Sequence, residues 1–263
     1  MLRFDLVDAF TAEPFAGNPA AVYLLEDWQP NSWLQRVARE MNQSETAYLV
    51  RTSDGFELRW FTPLVEVDLC GHATLASAHA LWQRGIAKGD QIAFSTRSGT
   101  LTATRAGDEI ELDFPLLVEQ SASPPPGLSE ALGITPLYIG QSRHDLVAEL
   151  GNEEQVRQLR PDFSRLAKVA TRGVIVTARS SDPAFDFVSR FFAPAAGIDE
   201  DPATGSAHCC LADFWQKRLH KTSFRAFQAS PRGGVLSVRV QGQRVILGGR
   251  AVTVARGELL AAP

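Results

Sequence analysis

Cysteine is scarce in this chain. Its three copies, Cys70, Cys209 and Cys210, include one adjacent pair and form no disulfide framework, so a reducing, cytoplasmic setting is expected. Positive charge is not in excess: 26 Lys and Arg stand against 30 Asp and Glu, a net charge of -4. That balance argues against nucleic acid as a partner, because a polyanion needs a basic footprint. No apolar run approaches the length of a bilayer span, so no membrane partner is expected. The chain lacks Gly-x-x-x-x-Gly-Lys-Ser/Thr and has no Gly-x-Gly-x-x-Gly after a strand, the two common phosphate and dinucleotide signatures. His208, Cys209 and Cys210 are adjacent, and no four-ligand spacing emerges around them, so neither a metal nor a cofactor is expected. The first residues, Met1 to Asp5, enter an alternating strand pattern at once, and no signal peptide is expected.

What the chain does contain is a phrase used twice. Arg59-Trp60-Phe61-Thr62-Pro63 is followed by Asp68-Leu69-Cys70-Gly71-His72-Ala73, and Arg190-Phe191-Phe192-Ala193-Pro194 by Asp201-Pro202-Ala203-Thr204-Gly205-Ser206-Ala207. Each copy reads Arg-aromatic-Phe-x-Pro, an irregular loop, an aspartate, and then a glycine opening an apolar helix. The copies lie about half a chain apart in 263 residues, which predicts two related lobes of common domain size. The expected division is 1–116 and 117–263, with the last strand a candidate to return to the first lobe. Ser121-Ala122-Ser123-Pro124-Pro125-Pro126-Gly127 reads as a linker.

Periodicity predicts many short strands and three longer helices, over Ser32 to Met41, about His72 to Arg84, and about Ser206 to Arg218. Phe163 to Ala170 also reads as helical. The helices after Gly71 and Gly205 are small or apolar around most of their circumference, so each should be buried on most sides. The expected fold is α+β: in each lobe a curved, mostly antiparallel sheet wraps a central helix.

Two glycine-led helix starts facing one cleft would bind an anion, most naturally a carboxylate. Free N–H groups and partial positive charge collect at a helix start, and Gly71 and Gly205 let a ligand approach the backbone. Glu45, in Gln43-Ser44-Glu45-Thr46, stands between a helix and a strand. As a cap it would be unremarked; facing an apolar cleft it would suit proton transfer. Asp201 reads equally as a loop cap, and His72 as either a proton shuttle or a helix-start residue bonded to a loop. Aligning the glycines pairs Cys70 with Thr204 and His72 with Ser206. A two-thiol racemase would want cysteine at both places, and Cys70 also fits as a buried small hydrophobe.

The motifs resemble those of the phenazine biosynthesis PhzF-like family, which shares the diaminopimelate-epimerase fold. The resemblance rests on Asp8-Ala9-Phe10-Thr11 with Gly17-Asn18-Pro19-Ala20, Gln43-Ser44-Glu45-Thr46-Ala47, Phe61-Thr62-Pro63, Glu66 to Thr74, and Phe192-Ala193-Pro194 through Glu200 to Ala207. It implies a cofactor-free isomerase that moves a proton within a small carboxylate such as trans-2,3-dihydro-3-hydroxyanthranilate, bound between the lobes. It implies Glu45 as the acid–base residue, His72 and Asp201 as catalytic partners, and Ser44, Gly71, Gly205 and Ser206 as substrate contacts. A homodimer is compatible with it. The stretch from about Leu117 to Ala170 has no counterpart among the named isomerase's motifs, so the family is firmer than the substrate. Two other readings stand beside it: an epimerase, racemase or dehydratase using Cys70, and a metabolite-binding protein of the same fold without turnover.

Overall fold

The computed structural model describes residues 2–261. Its contacts divide the chain into two units, one running to Asp113 and resuming at Gly248, the other spanning Phe114–Leu247. No helix of the described residues is long and apolar enough to cross a membrane.

The first unit contains β1 (Leu2–Ala9), β2 (Asn18–Leu25), α1 (Asn31–Met41), β3 (Glu45–Arg51), β4 (Phe56–Phe61), β5 (Glu66–Val67), α2 (Gly71–Gln83), β6 (Gln91–Thr96), β7 (Gly99–Ala106) and β8 (Glu109–Pro115). β2 and β3 run parallel, and α1 is the crossover that such a pair needs. β4 and β6 are also parallel, and here α2 is the crossover. The remaining neighbours, β1–β2, β3–β4, β6–β7 and β7–β8, are antiparallel, and β5 lies on the far end of β4. α2 packs against β1, β2, β3 and β7, so the sheet curves round it. Its buried residues run from His72 through Ala78 and on to Ala80–Trp82, which is why it has no polar face. α1 covers the outer surface with Trp33, Leu34, Val37 and Ala38, packed on Tyr23, Tyr48 and Phe61.

The second unit repeats this plan with β9 (Gln120–Ser121), α3 (Leu128–Leu132), β10 (Tyr138–Gln141), β11 (Asp145–Glu149), α4 (Glu153–Gln158), α5 (Phe163–Leu166), β12 (Gly173–Arg179), β13 (Phe187–Ala193), β14 (Ile198–Asp201), α6 (Gly205–Leu219), β15 (Ser223–Gln228), β16 (Gly234–Gln241) and β17 (Arg244–Gly249). β11–β12 and β13–β15 are its parallel pairs, matching β2–β3 and β4–β6. α6 is the enclosed helix. Phe187 of β13 stacks on His208 and Trp215, Trp215 Nε1 donates to Thr177 of β12, and Phe214 meets Tyr138 of β10. The last strand, β18 (Ala251–Leu259), pairs antiparallel with β1 and also touches α2. β9 holds the corresponding place beside β10.

Some expectations are corrected here. Helicity after Phe163 ends at Leu166, within one turn. The Pro-rich stretch at 121–127 is tied into the second unit, since Ser121 pairs with Gly140 and Ala122 donates to Ile139. β15 escaped notice although Ser-Phe-Arg-Ala-Phe-Gln alternates in burial.

Candidate functional site

The repeated phrase has one physical meaning in both units. Arg59 of β4 clasps Glu66 of β5 with two parallel bonds, of 2.7 and 2.8 Å. Arg190 of β13 clasps Glu200 of β14 in the same manner, again at 2.7 and 2.8 Å. Each guanidinium also lies over the phenylalanine two residues on, Phe61 or Phe192. Bidentate pairs of this kind fix geometry as well as energy. They pin the short strand, and with it the loop that delivers Cys70-Gly71-His72 or Thr204-Gly205-Ser206 to a helix start.

In the first unit the delivered group is His72, 4% exposed at the second position of α2. Three side chains surround its ring. Asn18, the first residue of β2, has Nδ2 3.1 Å from Nδ1. Cys70 Sγ is 3.5 Å from the same nitrogen. Glu45, the first residue of β3, has Oε2 3.3 Å from Nε2. Asn18 reaches this point through a tight turn. Asp8 accepts from the Phe15 amide at 2.7 Å, and Gly17 takes φ 63° where a Cβ would strike the Ala9 carbonyl. Thus the Asp8 and Gly17-Asn18 motifs shape one feature.

Burial holds the His72 pKa down at about 3, because the interior disfavours the charged ring. The contact with Glu45 is therefore a neutral imidazole against a carboxyl group, not an ion pair. An amide nitrogen only donates, so Asn18 makes Nδ1 the acceptor and leaves the proton on Nε2, facing Glu45. Nε2 makes no well-formed hydrogen bond of its own. The Glu45 side chain is 14% exposed, enough to meet a ligand while shielded from bulk water. Glu45, Cys70 and His72 each bring a ligating atom within 4.8 Å of the others, the one such group of three among the described residues. Cys70 and Glu45 lie nearest opposite nitrogens of the ring. Ser44 is half-buried immediately before Glu45.

In the second unit Asp201 is 8% exposed at the end of β14. The Thr204 hydroxyl donates to its Oδ2. Gln228 binds the loop twice, donating to the Asp201 carbonyl at 2.6 Å and accepting from the Thr204 amide at 2.8 Å. Gly205 is buried and Ser206 half-buried at the start of α6. Ser206 Oγ accepts from Arg172 Nη2 at 3.1 Å. Neither α2 nor α6 has a side-chain cap or an acidic residue in its first turn. Both starts therefore keep the partial positive charge that favours an anion.

The structure brings Glu45, His72, Gly71 and Ser44 together in one unit, and Asp201, Gly205 and Ser206 in the other. Sequence reasoning gave no role to Asn18, although its place after the Gly17 turn was a signal. It also missed Arg172: carrying the two halves back from Phe61 and Phe192 without a gap sets Ile175 opposite Ser44, and only the strand register brings Arg172 to that place.

Residues 7–257 match the model of the phenazine biosynthesis-like protein family. A protein named as an uncharacterised isomerase of Halalkalibacterium halodurans is 53% identical over 257 residues, covering 97% of each chain. The crystal structure of a PhzF family protein of Enterococcus faecalis superposes with a TM-score of 0.95 at 44% identity, covering 99% of each chain. The fold extends to a probable proline racemase of Agrobacterium radiobacter, with a TM-score of 0.67 at 13% identity, over 100% of this chain and 94% of that one. A match of this extent on both measures leaves one assignment: the chain is a member of the phenazine biosynthesis-like, PhzC/PhzF, family with a diaminopimelate-epimerase-like fold.

Proposed function

We propose that this protein is a cofactor-independent isomerase that transfers a proton within a small carboxylate, with Glu45 as the carrier. One observation carries the reading: a carboxyl group stands 3.3 Å from a buried, neutral imidazole whose tautomer is set from behind by Asn18. The protonated Nε2 edge of that ring stands beside Oε2, a partial positive charge against the carboxylate. The carboxylate then takes a proton from one carbon, and the resulting acid returns it to another. A single group does both steps if water is kept from exchanging with it. Substrate contacts are assigned in the first unit to Ser44 and the uncapped helix start at Gly71, and in the second to Ser206, the uncapped helix start at Gly205 and, as an orienting group, Asp201. Relatives named as isomerases support the reaction class.

The test is isomerisation of dihydro-hydroxyanthranilate-type acids in D₂O, followed by NMR. Wild type should isomerise such an acid, and the Glu45→Gln variant should lose ~10²- to 10⁴-fold in rate, the usual worth of general acid–base catalysis. Glu45→Gln at near wild-type rate removes the assignment.

A second reading has its own observation. Cys70 Sγ lies 3.5 Å from His72 Nδ1, so the thiol stands at the same ring as Glu45, where a one-thiol epimerase would need it. Its counterpart is Thr204, whose hydroxyl is engaged with Asp201, so a symmetric thiol pair is absent.

A further inference from the structure

The second unit carries a charged cluster that proton transfer at Glu45 leaves unused. Arg172, just before β12, donates through Nε to Asp145 Oδ1 at 2.8 Å and through Nη2 to Oδ2. The Asp145 side chain is 0% exposed, while that of Arg172 is 44% exposed. A buried carboxylate thus grips one edge of the guanidinium and fixes its plane. The second Nη2 proton goes to Ser206 Oγ. Among the described residues none accepts from Nη1. Because Ser206 Oγ accepts from Arg172, its own hydroxyl proton is directed to another acceptor. Arg143 and His144 stand on the neighbouring β10–β11 turn, both exposed. Burial first, then the charges of Arg172 and Arg143, lower the His144 pKa against the pull of Asp145, so the ring is neutral at neutral pH.

Strand register shows where this cluster lies. Thr46 faces Phe61 in the first unit and Val174 faces Phe192 in the second. Phe61 and Phe192 are the same position of the repeated phrase, so Ser44-Glu45 and Arg172-Gly173 are equivalent pairs. One unit places a carboxylate beside its helix start, and the other places a guanidinium there. Neutralising a buried aspartate would need only one cation. A fork held so that a second edge meets the helix-start serine is a ligand-facing arrangement.

We propose that Arg172 and the Ser206 hydroxyl form a carboxylate-recognition site, which selects the substrate of this protein. Arg172 Nη1 and Ser206 O–H donate to the two oxygens of one carboxylate. Calling the ligand a substrate rests on the isomerase reading above; the binding itself does not. The residues that build the site, Asp145 and Arg172, are absent from the motifs that carry the family resemblance, so they are suited to set substrate preference within the family.

Malonate is the probe, titrated calorimetrically at low ionic strength. Arg172→Gln alone would strand the buried Asp145, so the informative variant is Asp145→Asn/Arg172→Gln, which removes both charges. It should bind malonate ~10-fold or more weakly, as expected for the loss of one charge-assisted hydrogen bond. Ser206→Ala leaves the ion pair intact and should weaken binding by roughly 3-fold or more. Wild type that fails to bind malonate, or equal affinity in wild type and both site variants, overturns the proposal. A wild type that binds malonate through Arg172 but isomerises none of the acids sinks the isomerase reading alone.

Discussion

Asn18 and Glu45 meet opposite nitrogens of the His72 ring. If Asn18 sets the His72 tautomer, Asn18→Ala should lower kcat by about tenfold, the scale of one buried hydrogen bond, with KM little changed. The NMR signature is the ring nitrogens: protonated Nε2 and bare Nδ1 in wild type, mixed tautomers in the variant. An unchanged tautomer with unchanged kcat would assign Asn18 to packing. The same burial has a pH consequence. His72 is held neutral at about pKa 3 and His208, buried in the second unit, at about 4. Unfolded histidine takes its proton near pH 6.5. The unfolded chain therefore binds more protons below that pH, and stability falls as pH drops from about 6.5 toward 3 to 4. Denaturation of His208→Gln across that range should show a shallower decline than wild type. At this scale little was legible beforehand. Glu45 and His72 could be named by motif, but the contact between them joins the starts of β3 and α2, and their spacing in sequence carries no such distance.

The central helices were the most legible elements. A helix that is small or apolar on most sides has little polar face to offer water, and α2 and the part of α6 up to Trp215 are enclosed accordingly. Small residues are needed on the strands as well. Gly249 lies so close to the helix that a Cβ there would press into the Phe10 ring and sit 3.4 Å from Leu75 of α2. Phe10 is itself held at φ 63°, a conformation bulky residues rarely adopt. It has no easy way to withdraw. Gly249→Ala should cost ~1–3 kcal/mol by overpacking, read as a lower midpoint in denaturant with an unchanged slope. No loss of stability would mean that this strand can retreat from the helix. The short strands β5, β9 and β14 were not legible, because they exist only through their partners: Glu66 of β5 and Glu200 of β14, for instance, are held by arginines on the preceding strands.

Across the whole chain, the repeated phrase is the clearest sequence signal, and its two copies stand at matching places in the two units. The units share the same order of parallel and antiparallel neighbours, and the arginine clasp recurs in each with the same bond lengths. What the repeat hides is the divergence of chemistry at equivalent positions. Glu45 has Gly173 as its counterpart, His72 has Ser206, and Cys70 has Thr204. A repeat aligned on its glycines predicts shared geometry, while the groups proposed to react are residues that differ. The central claim is that proton transfer belongs to Glu45 and not to Cys70. The direct measurement is the isomerisation rate of Glu45→Gln beside Cys70→Ser, each checked for native folding by circular dichroism. The account predicts a loss of ~10²- to 10⁴-fold for Glu45→Gln and a rate close to wild type for Cys70→Ser. The reverse order, with Cys70→Ser inactive and Glu45→Gln near wild type, would contradict it.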